Sequence, residues 1–147
     1  MSARFTTALA TEEIDELANL HRVIWPLVYY SDILGRRLDV PAGFVTDFAS
    51  VPRLPVVYLA AGGRGDRAAV IHDWLYSTRM VDRATADAVL REALLACGYG
   101  PVLANLFYAA VRVFGQRYWD KPNQPQPAAV AALLAISKAA SPEAPKC

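Results

Sequence analysis

Apolar and polar residues follow two rhythms along this chain, and the change from one to the other divides it. Between Arg22 and Asp47, Val, Ile, Leu, Tyr and Trp are dense. Turn chemistry interrupts them at Ser31-Asp32, Leu34-Gly35 and Pro41-Ala42-Gly43. That pattern predicts two or three strands, at roughly 23–30, 36–40 and 44–46. From Val51 to Trp119 the spacing is helical. Ala86, Val89, Leu90, Ala93, Leu94 and Cys97 recur at helical intervals behind Asp82, a good N-cap, which predicts a helix over 82–97. Pro101 after Gly98-Tyr99-Gly100 is a helix start, and Val102, Leu106, Ala109, Ala110, Val113 and Phe114 give that last helix, 101–119, a wide apolar stripe. Ahead of the strands, Thr11 to Leu20 reads as a short acidic helix or lead-in.

After Asp120 the pattern changes again. Lys121-Pro122-Asn123-Gln124-Pro125-Gln126-Pro127 is a proline-punctuated linker that cannot continue a helix. Residues 128–140 are alanine-rich with high helix propensity, and 141–147 read as disordered. A helix that short is marginal alone, so either a partner chain packs on Leu133, Leu134 and Ile136 or the tail is frayed. The expected fold is α+β. An N-terminal antiparallel hairpin or small sheet precedes a three-helix region in one domain (1–120), and a Pro/Ala-rich tail (121–147) ends in a short helix or disorder.

Composition narrows the function classes. A length of 147 residues with 54% hydrophobic content suits one domain with a real core, and a net charge of +1 leaves no electrostatic footprint for nucleic acid. Arg36-Arg37 and Arg64-Gly65-Asp66-Arg67 then read as solvated surface or local ion pairs. No apolar run reaches the roughly 18 residues needed to span a bilayer, and no signal-peptide pattern opens the chain, so synthesis in the cytoplasm without classical export is expected. Cys97 on an apolar helical face and Cys147 in the tail imply no disulfide framework, and His21 reads as a surface or strand-flanking residue.

Chemistry concentrates in Gly62–Tyr76, GGRGDRAAVIHDWLY. At about 100° per residue His72 and Tyr76 share one helix face, with Asp73 one step round. An imidazole can take a proton from water and a carboxylate beside it can hold a hard cation, which together make an activated water. The plainer reading is a hydrogen-bonded core histidine. If the following helix packs back antiparallel across 77–81, Asp87 near its start can face His72 and fix the imidazole tautomer. Otherwise Asp87 only complements the helix macrodipole. Upstream, GFVTDFASVPR places Asp47 where it serves either as a turn residue or as a second carboxylate for the His72 cluster. The set Asp47, His72, Asp73 and Asp87 would suit calcium, magnesium or manganese better than zinc.

The ordered set VPAGFVTDFASVPR, AAVIHDWLY, ADAVLREAL and AAVRVFG, spanning about Trp25 to Trp119, closely resembles an uncharacterised domain family common in tailed bacteriophages and prophages. That resemblance implies a phage origin and brings no reaction with it. Separately, DRAAVIHDWLY resembles the active-site helix of secreted sn-2 phospholipases, and its His-Asp-x-x-Tyr with the later Ala-Asp is similar to the phospholipase domain of parvovirus capsid proteins. This second resemblance covers about Gly62 to Leu94. It implies His72 as the base that activates water, Tyr76 and Asp87 as the groups that hold His72, and Asp73 as a calcium ligand. The carbonyls around Gly62, Gly63 and Gly65 would supply further ligands. The glycine run abuts Asp66 without the spacer of those enzymes, and Ala68 and Ala69 replace their paired cysteines, so Asp47 becomes a substitute ligand.

Two expectations follow. One is a phage-encoded, metal-assisted hydrolase, with His72, Asp87 and Tyr76 as catalytic groups and Asp73 and Asp47 on the metal, acting on a lipid ester or another polymer of the bacterial envelope. The other is a non-enzymatic virion or tail component in which the same residues form a buried polar lock and the tail docks on a neighbouring phage structural protein.

Overall fold

The computed structural model describes residues 2–17, 20–48 and 65–121. The segment containing Ser50–Arg53, Gly62 and Gly63, and the tail with its linker, its alanine-rich stretch and Cys147, lie outside the described residues.

Six strands form two three-stranded antiparallel sheets. Strands β1 (Arg4–Phe5), β4 (Leu27–Ser31) and β5 (Arg36–Val40) lie in the order β1-β4-β5. Strands β2 (Thr11–Asp15), β3 (Leu20–Val23) and β6 (Val45–Thr46) lie in the order β2-β3-β6. Strand β4 is central and buries Leu27, Val28 and Tyr29 in succession, whereas β5 alternates, with Leu38 and Val40 inward and Arg37 and Asp39 outward. The single strand expected over 23–30 is two strands, because Pro26 has no N–H to donate and interrupts the ladder. Where a short acidic helix or lead-in was expected over 11–20, residues Thr11–Asp15 form strand β2. Its residues bury almost nothing, so no apolar stripe exists to hold a helix, and pairing with β3 satisfies the backbone while Glu12 meets Arg22 at 2.8 Å.

Among the described residues four helices follow: α1 (Asp66–Thr78), α2 (Arg83–Ala96), α3 (Pro101–Phe114) and the single turn α4 (Gln116–Trp119). The Asp82 side chain accepts the Thr85 backbone N–H, the cap expected of it. Arg79 takes a left-handed φ of 49° after α1, and the short connection returns the chain against α1. The long last helix predicted from Pro101 is broken at Gly115 into α3 and α4. A Cβ at Gly115 would approach the Tyr76 hydroxyl to 2.8 Å and collide with the Val111 carbonyl, so the bend and the tight packing over α1 require glycine there.

One core joins sheet and helices. Phe5, Leu27, Tyr29, Leu38, Val40 and Phe44 meet Val70, Ile71, Leu75, Val89, Leu90 and Leu94, with Ala104, Phe107 and Val111 closing it from α3. Of the apolar stripe expected on this helix, Val102, Leu106, Ala109, Val113 and Phe114 are exposed and only Ala110 is buried; the face that enters the core is Ala104, Phe107, Ala110 and Val111. Among the described residues no helix is long and apolar enough to cross a membrane.

Candidate functional site

Helix α1 turns two adjacent side chains toward different parts of the molecule. His72 points at α2 and α3, and Asp73 points at β6. Both lie in a turn that is buried all round, with Ala68, Ala69, Val70, Ile71 and Leu75 beside them. Ala68 and Ala69, standing where the secreted phospholipases have cysteines, serve here as small core contacts.

His72 and Asp87 are both 0% exposed. Imidazole Nε2 lies 2.8 Å from Asp87 Oδ1, and the Tyr76 hydroxyl donates to the same oxygen at 2.6 Å. The His72 and Tyr76 rings are 4.1 Å apart, as their shared helix face predicted. The other carboxylate oxygen accepts Arg112 Nη1 at 2.8 Å, with Arg83 Nη1 at 3.5 Å from one turn earlier on α2. Asp87 lies in the second turn of α2, not the first, so the macrodipole reading gives way to a direct role as the hub of four donors.

The electrostatics follow from this crowding. Burial pushes the Asp87 carboxyl up, and the hydrogen bonds from His72, Tyr76 and Arg112 more than reverse that, leaving it below the usual carboxylate range. The Tyr76 phenol is pushed up, first by burial and then by its bond to Asp87. The Arg112 guanidinium is raised by the same carboxylate. With Asp87 ionised and able only to accept, Nε2 is the donor of that bond, and Nδ1 is the ring nitrogen turned away from it. Among the described residues, Nδ1 has no hydrogen-bond partner although it is buried. The charge of Asp87 is also shared with two guanidiniums. Its main effect on His72 is therefore orientation, with less electrostatic support for an imidazolium than an isolated carboxylate would give.

Asp73 is 5% exposed and accepts the Thr46 hydroxyl through Oδ2. Thr46 also receives the Phe48 amide at 3.1 Å, and Phe48 turns the chain with a φ of 53°, unusual for a residue with a Cβ. His21 sits opposite Thr46 in the β3–β6 ladder, half-buried, with its ring 4.9 Å from that of Phe48. Asp66, at the start of α1, is raised by burial, with His21 working in the opposite sense.

The four-member set of Asp47, His72, Asp73 and Asp87 is not gathered around one point. Asp87 is occupied by its donors, and among the described residues no group of three or more His, Cys, Asp or Glu side chains stands where it could hold a metal ion. The other buried carboxylate of the set, Asp73, is held beside Thr46. The glycine carbonyls of the resemblance, apart from Gly65, lie outside the described residues.

Arg112, Arg83, Thr46 and Gly115 complete the site, and the apolar periodicity hid all four. Arg112 carried a signal, being the only charge in the fourteen residues of α3. A lone arginine in an otherwise apolar helix requires a buried or amphipathic partner.

A histidine tied to a buried carboxylate and a tyrosine, on two antiparallel helices packed under a small β-structure, defines this α+β domain. The chain belongs to DUF1353, a family of proteins of unknown function, whose match covers residues 21–111 and so more than half of the sequence. No curated protein and no solved structure matches it.

Proposed function

We propose that this protein is a hydrolase in which His72 is the general base, Asp87 the carboxylate that orients it, and Tyr76 and Arg112 the groups that hold Asp87. The observation that carries this reading is the imidazole itself: Nε2 is engaged by Asp87, and the buried Nδ1 has no hydrogen-bond partner among the described residues. A lock built only for stability would satisfy both ring nitrogens, because an unpartnered buried polar atom costs about 1–3 kcal/mol.

The chemistry is water attack on an ester. His72 Nδ1 takes a proton as the water oxygen bonds to the carbonyl carbon. The imidazolium then returns the proton to the departing alkoxide as the C–O bond breaks, giving acid and alcohol. Asp73 is the residue that would hold a divalent cation, calcium by the phospholipase resemblance. No step of the reaction is routed through such an ion, since Asp73 faces β6 and no metal-holding group forms around it among the described residues. A phospholipid ester of the bacterial envelope is the substrate class, and the ordered motif set supports a phage origin for the gene.

A second reading is favoured by one observation, the complete burial of both His72 and Asp87. There the protein is a virion or tail component and the cluster locks α1, α2 and α3 together. His72→Gln separates the two. Gln keeps a donor for Asp87, so the hydrolase reading expects ester turnover to vanish while the protein melts within a few degrees of wild type. Unchanged turnover of phospholipid by the variant would sink the base assignment. For the cation, melting with calcium, magnesium or manganese against EDTA is expected to rise in wild type and not in Asp73→Asn. Equal shifts in both proteins would remove Asp73 from that role.

A further inference from the structure

Helix α3 is apolar on two sides. Its inner face, Ala104, Phe107, Ala110 and Val111, is buried in the core. On the far side, Val102, Leu106, Ala109 and Val113 recur at i, i+4, i+7 and i+11, and Val102, Leu106 and Val113 are 83%, 47% and 68% exposed. A helix apolar all round belongs inside something. Only half of α3 is inside the described protein.

The charges at the C-terminal end of this helix are mostly basic. No acidic residue occurs in α3 or α4, and Arg79, Arg117 and Lys121 surround the C-terminal end of the pair with Asp120 as the single acid. They are also held in place. Arg79 donates to the carbonyls of Trp119 and Lys121, and Arg117 and Lys121 both sit over the Tyr118 ring, at 4.9 and 5.0 Å. Tyr118 and Trp119, half-buried between the basic rim and the core, are residues that favour a boundary between apolar and wet surroundings.

We infer that the outer face of α3 docks on an anionic lipid surface, with Val102, Leu106, Ala109 and Val113 entering the headgroup boundary and Arg79, Arg117 and Lys121 facing acidic headgroups. An amphipathic helix lying in the interface with a basic flank is the chemistry that such a surface recognises. A second copy of the chain would bring the same positive rim against itself. The inference rests on the ester-hydrolase reading for its purpose. Arg112 reaches Asp87 from this helix and Trp119 packs on the Tyr76 ring at 5.1 Å, so docking would bring lipid to within about one helix diameter of the His72 site.

The test is sedimentation of the full chain with vesicles of phosphatidylglycerol and phosphatidylcholine, or of phosphatidylcholine alone, for wild type, His72→Gln and the double variant Leu106→Asp, Val113→Asp. The expected result is binding to the anionic vesicles that weakens in high salt and falls at least about tenfold in the double variant, whose exposed positions leave its melting temperature unchanged. His72→Gln should bind like wild type, so a failure of the hydrolase reading does not imitate a failure of docking. Binding absent in wild type or equal in the double variant overturns the inference. So does a wild-type dimer that the double variant splits in sedimentation equilibrium, which would assign the face to a second copy.

Discussion

Replacing Asp87 by Asn tests the hub of the site directly. The side chain is fully buried, accepts His72, Tyr76 and Arg112 at 2.8, 2.6 and 2.8 Å, and holds its charge below the usual carboxylate range. Asn keeps the shape, removes the charge, and turns an N–H₂ group toward neighbours that are themselves donors. Removing one partner of a buried ion pair costs about 3–5 kcal/mol, which for a domain of this size lowers the melting temperature by roughly 10–20 °C. The pH dependence gives the sharper version. A carboxyl whose folded pKa is depressed contributes stability that is fully present above its unfolded value, about 3.9, and is lost as pH falls through the folded value. The gap in melting temperature between wild type and Asp87→Asn should therefore be constant from pH 7 to about 5 and close progressively below pH 4. Scanning calorimetry of both proteins across that range measures it. A gap under about 1 kcal/mol at pH 7, or one that persists undiminished at pH 2, refutes the ionised hub.

Two more outcomes follow from single contacts. Gly115→Ala should push the Tyr76 hydroxyl off Asp87, since the added Cβ would stand 2.8 Å from it. A cost of about 1–3 kcal/mol is expected, and it should shrink in a Tyr76→Phe background without vanishing, because the clash with the Val111 carbonyl remains. Glu92 accepts Tyr29, Ser31 and the Ile33 amide at 2.8, 2.7 and 2.8 Å and so fastens α2 to the β4–β5 hairpin. Glu92→Ala should cost about 2–4 kcal/mol by denaturant titration, and it should drop the Tyr29 phenol pKa, now raised by burial and then by Glu92, toward its ordinary range.

How far the sequence disclosed this arrangement differs from element to element. Asp82 as a cap, Pro101 as a helix start and the period of α2 were legible because each depends on a few neighbouring residues. Strand β2 was not, because an acidic stretch whose only large apolar residue within the strand is Ile14 has no period of its own, and its pairing with β3 is a tertiary event. At the site, His72, Tyr76 and Asp87 could be brought together on paper from helix spacing and an antiparallel turn, and they meet. Arg83 and Arg112 could not, since the hand of the α2–α3 packing decides which residues look at Asp87. Glu92 was likewise passed over, because its three donors come from a hairpin about 60 residues away in sequence.

The His72-Asp73 dipeptide ties α1 to two different partners, through Asp87 to α2 and α3, and through Thr46 to the end of β6. In a domain stabilised by only about 5–15 kcal/mol, a structural role can account for both residues without any chemistry. It accounts for Asp73 beside Thr46 and for Nε2 beside Asp87. It leaves Nδ1 unexplained. Optimised for packing alone, the position would favour a smaller apolar side chain or an amide with all its groups matched, because a buried imidazole with one engaged nitrogen carries the cost of the other. The decisive comparison is therefore His72→Leu with Asp87→Leu in one chain. If the pair is only a lock, this replacement, which also leaves Arg83, Arg112 and the Tyr76 hydroxyl without their acceptor, should melt well below wild type yet keep whatever the protein does at temperatures where it is folded. If Nδ1 is the base, it should fold and do nothing.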